Sequence, residues 1–226
     1  MEKKRKAILA GASGSIGSCL LQDLLNDNNY TEVLVLVRKN LNIQHPKLNQ
    51  LVIDFNRLSD YSAEIKGDAV FCCLGTTKSQ TPDQKEYRRI DYQYPLDIAW
   101  IAQTNGAESY HLVSAMGADK NSSFFYNKTK GEVERDLKDV PFKSIHIYRP
   151  SLLDSKRSQQ RFGEGMMNRL MHIINPLLIG KWKKYRSIKV EAVAKVMQAQ
   201  SLNEQKGIFI HQSDQIQALS DVLTPA

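Results

Sequence analysis

The sequence predicts an α/β chain organised around a doubly wound parallel sheet, with a small C-terminal region laid over one end of it. Three observations carry that expectation. Short apolar runs rich in β-branched residues recur at 7–10, 33–37, 51–53, 69–74, 110–113 and 144–148. Stretches with helical spacing fall between them, at about 15–26, 88–104 and 123–138. A glycine-rich turn, Gly11-Ala12-Ser13-Gly14-Ser15-Ile16-Gly17, joins the first run to the first helix. Alternation of this kind builds right-handed βαβ units, which place helices on both faces of the sheet.

In chain order, the first strand leads straight into the glycine turn, the context in which a dinucleotide pyrophosphate is held. Gly11 allows the sharp strand exit, Gly14 a close backbone approach, and Gly17 tight packing of helix on sheet, while the helix N-terminus offers amide hydrogens to phosphate. The spacing differs from the commoner Gly-x-Gly-x-x-Gly, and such a turn also serves plain strand-to-helix packing. The second strand ends at Arg38 and Lys39, where a cofactor with a free ribose 2′-hydroxyl is usually met by an acid. Two cations suit a 2′-phosphate instead. Asp54, after the third strand, is placed to accept a hydrogen bond from an adenine amino group or simply to cap the strand end. Leu74-Gly75-Thr76-Thr77 leaves the fourth strand beside the expected crevice.

The fifth strand ends at Ser114, and twelve residues later comes Tyr126-Asn127-Lys128-Thr129-Lys130. On a helix Tyr126 and Lys130 share a face, so the ammonium can stabilise the phenolate of a group that is otherwise a poor base at neutral pH. Taken singly, these residues read as an ordinary helix pair and a strand terminus. Their joint placement after a glycine turn favours a proton-transfer site.

After Arg149-Pro150 the pattern changes to a polar stretch and then a Met-rich amphipathic piece at 165–174, read as core packing ahead of a substrate role. The 190–200 stretch has helical spacing, and 207–211 reads as a last strand returning to the sheet edge. Of the net charge of +7, all is concentrated in 155–187, where eight cations face the single acid Glu164. Within it, Lys181-Trp182-Lys183-Lys184-Tyr185-Arg186 is by default a solvated loop; its charge otherwise favours an anionic ligand. One such segment does not make a nucleic-acid-binding protein. His172 reads as a packed or surface residue, and no Cys/His spacing supports a metal site.

The 226 residues suit a single domain, with a core at about 6–150 and a substrate-covering part at about 151–226. Although 42% of residues are apolar, no run approaches the length a membrane span needs. The basic start is followed by too short an apolar stretch for a secretory signal, and Cys19, Cys72 and Cys73 read as reduced thiols. A cytoplasmic location is expected.

The Ser114, Tyr126 and Lys130 spacing resembles the short-chain dehydrogenase/reductase superfamily, whose sheet is of the Rossmann type. The likeness is closer to its atypical branch, the TIP30-like (Tat-interacting protein) NAD(P)-binding oxidoreductases. The carrying segments are the glycine turn, Phe71-Cys72-Cys73-Leu74-Gly75-Thr76-Thr77, Tyr126 to Val133, and Tyr148-Arg149-Pro150. By this resemblance Ser13, Gly14, Ser15 and Ile16 cradle the phosphates, and Arg38 and Lys39 hold the 2′-phosphate of NADP(H). Leu74, Gly75, Tyr126, Lys130, Leu153 and Arg161 line the rest of the cofactor. Tyr126 is the general acid or base, Ser114 hydrogen-bonds the substrate oxygen, and Lys130 binds the nicotinamide ribose and lowers the Tyr126 pKa. Many relatives carry an Asn in the middle helix for a proton relay; the corresponding stretch here is Arg88-Arg89-Ile90-Asp91-Tyr92.

The leading expectation is therefore an NADP(H)-dependent oxidoreductase acting on a carbonyl or alcohol of unidentified structure. A regulator that binds NADP(H) without turnover is the alternative. A nucleotide-sugar epimerase or dehydratase shares the trio, but such enzymes generally have a larger C-terminal part than the 76 residues after Pro150.

Overall fold

A computed structural model of the protein describes residues 4–154, 182 and 185–224. Its centre is a seven-stranded sheet in the order β3-β2-β1-β4-β5-β6-β9. The strands are β1 (Arg5–Ala10), β2 (Tyr30–Val37), β3 (Leu48–Val52), β4 (Ala69–Cys72), β5 (Ser109–Val113), β6 (Ser144–Arg149) and β9 (Gly207–Gln212). Every neighbouring pair is parallel. Parallel strands need crossovers, and helices supply them: α1 (Ser15–Asn26), α2 (Gln84–Arg88), α3 (Tyr94–Thr104), α4 (Phe125–Leu137), α5 (Val190–Ser201) and α6 (Ser213–Leu223). This is the expected doubly wound, Rossmann-type α/β fold.

Because helices cover both faces, the inner strands are apolar on both sides. Ala7, Leu9, Val33, Val35, Ala69 and Phe71 face α1 and α5, while Ile8, Ala10, Leu34, Leu36, Val70 and Cys72 face α3 and α4. Helix α1 buries Ile16, Leu20, Leu21, Leu24 and Leu25, a stripe at helical spacing, and α5 packs along it. The strand order reverses between β1 and β4, so a crevice opens at their C-terminal ends, where the glycine turn and the 73–77 loop emerge.

Three features depart from the expected elements. The 88–104 helix is three pieces, α2, a π-helical turn (Arg89–Gln93) and α3. Pro95 at the start of α3 has no N–H for the Asp91 carbonyl, and the Tyr94 amide reaches back five residues to the Arg89 carbonyl. The tail carries one helix more than its pattern marked: α5 lies on α1 and β9 returns to the sheet edge beside β6, both where their spacing put them, and α6, which the sequence reading missed, packs against α5 and β9. Short strands β7 (Leu153–Asp154) and β8 (Ile188–Lys189) pair on either side of 155–187. The Met-rich 165–174 piece, His172, Arg161, Lys181, Lys183 and Lys184 lie outside the described residues.

A row of rings runs across the α1 and α5 face. Phe71, His111, His146 and Phe209 occupy paired positions on four adjacent strands, and their rings stack at 4.7–4.9 Å. His146 Nδ1 is 3.1 Å from His211 Nε2, and His111 Nδ1 is 3.1 Å from the Tyr148 hydroxyl. Burial pushes His146 and His211 down from 6.5 to about 4, with His211 adding to the effect on His146, and holds His111 well below its ordinary value. The unfolded chain therefore binds more protons than the folded one between about pH 4 and 6.5. Stability is full above 6.5 and declines as pH falls through that window. In thermal melts across it, His146→Phe should flatten the decline relative to the parent protein; parallel curves would contradict the buried neutral pair.

Candidate functional site

The glycine turn has the geometry its sequence implies. Gly11 has φ +86°, and a Cβ there would lie 2.5 Å from the Cys73 carbonyl oxygen, so a side chain would collide with the β4 exit. A Cβ on Gly17 would lie 2.1 Å from the Gly11 carbonyl oxygen. The Gly14 amide bonds that same oxygen at 2.9 Å, closing the turn. Among the described residues no side chain caps the N-terminus of α1, which leaves its first-turn amides for an anion. Ser13 is exposed, Gly14 and Ser15 half-buried, and Ile16 buried against the core. A pyrophosphate fits this backbone cradle.

Arg38 and Lys39 are exposed at the C-terminal end of β2, and the Arg38 charge acts on the Tyr94 phenol. Asp54 caps the 3₁₀ turn Phe55–Tyr61, its Oδ1 accepting from the Asn56 amide at 2.9 Å. Leu153 sits in β7, half-buried against the α1-side core.

Helix α4 carries the proton-transfer residues. Tyr126, Lys130 and Glu134 follow at four-residue intervals on one face, at three depths: Tyr126 is 43% exposed, Lys130 5% and Glu134 3%. The helix is brought in by Gly131, where a Cβ would lie 2.1 Å from the Lys120 amide nitrogen. Tyr126 lines a cleft of about 350 Å³ with Thr76, Thr77, Thr81, Pro82 and Tyr87, at the mouth of the β4 exit loop. The Thr76 and Thr81 hydroxyls are 2.8 Å apart, and Tyr87 donates to the Thr76 carbonyl at 3.0 Å.

Below Tyr126, the Lys130 ammonium lies 2.8 Å from Asp91 Oδ1, and Asp91 Oδ2 accepts the Thr76 amide at 2.9 Å. Gly75 closes over the pair; a Cβ there would stand 3.5 Å from Asp91 Oδ1 and 3.7 Å from Lys130 Nζ. Burial works to lower the Lys130 pKa, but Asp91 and Tyr126 outweigh it and the ammonium is held above its ordinary value. For Tyr126 burial raises the phenol, Lys130 opposes it, Asp91 adds to it, and the net direction is upward. The expected depression by Lys130 is present but outweighed, chiefly by burial, with Asp91 adding to the upward direction.

Ser114 also departs from expectation. It is 4% exposed and donates its hydroxyl to Glu134 Oε1, while Arg149 Nε bonds the same carboxylate oxygen at 3.0 Å. The serine therefore ties the end of β5 to α4 instead of presenting its proton to the cleft. Sequence reasoning missed this Ser114–Glu134–Arg149 network and the Lys130 partner. Glu134 eight residues beyond Tyr126 was the available signal, one helix face extended by a further turn. Among the described residues no three His, Cys, Asp or Glu converge as a metal site requires.

The tight glycines yield a stability test. Gly131→Ala should destabilise the protein by about 1–3 kcal/mol, the usual cost of forcing a methyl into packed backbone. Urea unfolding midpoints measure it, and an unchanged midpoint would contradict the close approach of α4 to 119–120.

Comparison with known proteins agrees with this geometry. A family model described as NAD(P)H-binding matches residues 11–164. Protein HTATIP2 of Rattus norvegicus is 32% identical over 199 residues, covering 86% of this chain and 80% of that protein. The expected TIP30-like resemblance is thereby met. Protein FMP52, mitochondrial, of Eremothecium gossypii is 28% identical over 159 residues, covering 70% of this chain and 71% of that protein. Its name does not support a cytoplasmic expectation; among the described residues no helix is long and apolar enough to cross a membrane. The structure of a UDP-N-acetylglucosamine 4-epimerase from Methanobrevibacter ruminantium superposes with TM-score 0.70 at 16% identity, covering 98% of this chain and 83% of that one, which is a likeness of fold. By its sequence match and its glycine cradle, the chain belongs to the NAD(P)H-binding family.

Proposed function

We propose that this protein is an NADP(H)-dependent oxidoreductase of the atypical short-chain type, exchanging a hydride between nicotinamide and a carbonyl or alcohol. The observation that carries the reading is the convergence of Tyr126 and the Thr76 loop on one cleft, with Lys130 a turn beneath and the glycine cradle at the neighbouring strand end. Glycine backbone and the uncapped α1 N-terminus suit the pyrophosphate, and exposed Arg38 and Lys39 suit a 2′-phosphate.

When bound, the nicotinamide supplies or removes the hydride. Tyr126 donates its phenolic proton to the carbonyl oxygen in reduction, and its exposure lets water restore that proton. Lys130 holds the cofactor ribose with the N–H groups that Asp91 does not engage. Ser114 acts through Glu134 to fix the height of α4, and the hydroxyls bordering Tyr126 in the cleft are those of Thr76, Thr77 and Thr81. We read the chain as one nucleotide-binding domain and its substrate as a small molecule. The three free cysteines suit a reducing compartment such as the cytoplasm.

One observation favours the second reading, a nucleotide-binding regulator without turnover: the Ser114 hydroxyl is already committed to Glu134. Nicotinamide absorbance followed with NADPH and a panel of aldehydes and ketones separates the two. Tyr126→Phe should lower kcat/KM by about 10²–10⁴-fold with NADPH affinity little changed. Full NADPH binding with no turnover on any carbonyl would favour the regulator.

Cofactor choice is tested separately. Arg38→Gln should weaken NADPH about tenfold or more while leaving NADH nearly untouched, because it removes a charge-assisted phosphate contact. Equal weakening of both by isothermal titration would remove Arg38 from the 2′-phosphate site.

A further inference from the structure

The π-helical turn makes room for one residue more than an α-helix would, and within it Asp91 turns into the protein with its side chain 0% exposed. A carboxylate so enclosed needs its charge matched and its oxygens engaged. Asp91 meets both needs with two different elements: Oδ1 pairs with the Lys130 ammonium of α4 at 2.8 Å, and Oδ2 takes the Thr76 amide of the β4 exit loop at 2.9 Å. Among the described residues Oδ1 has no hydrogen-bond partner apart from that ammonium, so its negative charge is directed at Lys130.

The groups facing Lys130 come from four elements. Tyr126 lies on its own helix, Asp91 on the π-turn, Tyr87 on α2, and Cys72 and Cys73 on or just beyond β4. Burial raises both thiols and the Tyr87 phenol, and the carboxylate that pairs with the ammonium is that of Asp91. Tyr126, one turn above, consequently faces a nearly neutral ion pair and not a bare ammonium.

We propose that Asp91 is a positioning residue of this site: by engaging the Lys130 ammonium and the Thr76 amide together, it keeps the Tyr126 phenol in its proton-bearing form, which suits the site to carbonyl reduction over alcohol oxidation. The inference rests on the reading of Tyr126 as the proton donor. In reduction the carbonyl carbon accepts a hydride from the reduced nicotinamide while its oxygen takes the Tyr126 proton. The products are the alcohol, the oxidised nicotinamide and a phenolate that recovers its proton from water. Oxidation would begin from the phenolate, a form that Asp91 disfavours until the pH is alkaline.

The test uses the full-length, cofactor-free protein labelled with ¹³Cζ-tyrosine. Its resonances are followed by NMR through the alkaline range, and Tyr126→Phe assigns the Tyr126 signal. Asp91→Asn keeps the shape of the side chain and an acceptor for the Thr76 amide but exposes Tyr126 to an unpaired Lys130. Its Tyr126 midpoint should fall by about one pH unit or more relative to the parent protein, the usual effect of an adjacent opposite charge. An unchanged or higher midpoint overturns the proposal.

If the unpaired ammonium prevents Asp91→Asn from folding, the double variant Asp91→Asn/Lys130→Met removes both charges. Its Tyr126 midpoint should stay near the parental one, and a large displacement in either direction overturns the proposal. Because no cofactor or turnover is required, the titration stands apart from the reductase reading. That reading fails instead if the parent protein binds NADPH and reduces no carbonyl.

Discussion

An ammonium with only a twentieth of its surface in water must be matched by a nearby charge, and for Lys130 that charge comes from Asp91. Removing one member of such a pair typically costs about 3–5 kcal/mol, because the other is left buried and unpaired. The pair therefore sets the relative position of α4 and the π-turn. Through its second oxygen Asp91 also sets the β4 exit loop, since the Thr76 amide has that carboxylate as its acceptor. Gly75 lies in the same loop, directly over the pair. Tyr126, the cleft beside it and the β4 exit loop all adjoin this contact.

The site is layered along one helix face. At the deepest level Glu134 is held by Ser114 and Arg149, joining the ends of β5 and β6 to α4. Lys130 and Asp91 form the middle level, and Tyr126 with the threonine hydroxyls forms the level open to solvent. Charge is balanced at each buried level, so the phenol at the top stands over paired charges. Across the crevice, the backbone contacts of Gly11 and Gly17 leave no space for side chains, and the α1 N-terminus follows without a side-chain cap among the described residues.

The parts of this arrangement that depend on local pattern were legible in the sequence. Helix α1 spans the residues its apolar spacing marked, and every strand of the central sheet overlaps an apolar run, the five inner ones because a strand buried on both faces has few other ways to be written. Positions of the glycine turn, Tyr126 and Lys130 followed from spacing alone. What spacing cannot express is which side chain a residue meets across the fold. Ser114 looked available because its distance in sequence from Tyr126 was right, yet Glu134 reaches it from α4. Asp91 stood out only as a departure from an expected asparagine, and its role emerged once the π-turn aimed it at Lys130. The histidine ladder was equally hidden, since His111, His146 and His211 lie far apart in the chain and become neighbours only through strand register. Helix α6 was missed because its N-terminal capping box is built from Gln212 and Gln215 instead of the more usual serine or threonine with an acid.

The central claim is that the Tyr126, Lys130 and Asp91 unit serves hydride transfer from a bound nicotinamide. The most direct measurement uses NADPH deuterated at the transferring position, incubated with the protein and a mixture of aldehydes and ketones, with the products analysed by mass spectrometry. The account predicts an alcohol carrying one deuterium on its carbinol carbon, formed by the parent protein and lost in Tyr126→Phe. Stoichiometric binding of the labelled cofactor with no deuterium in any product would contradict it.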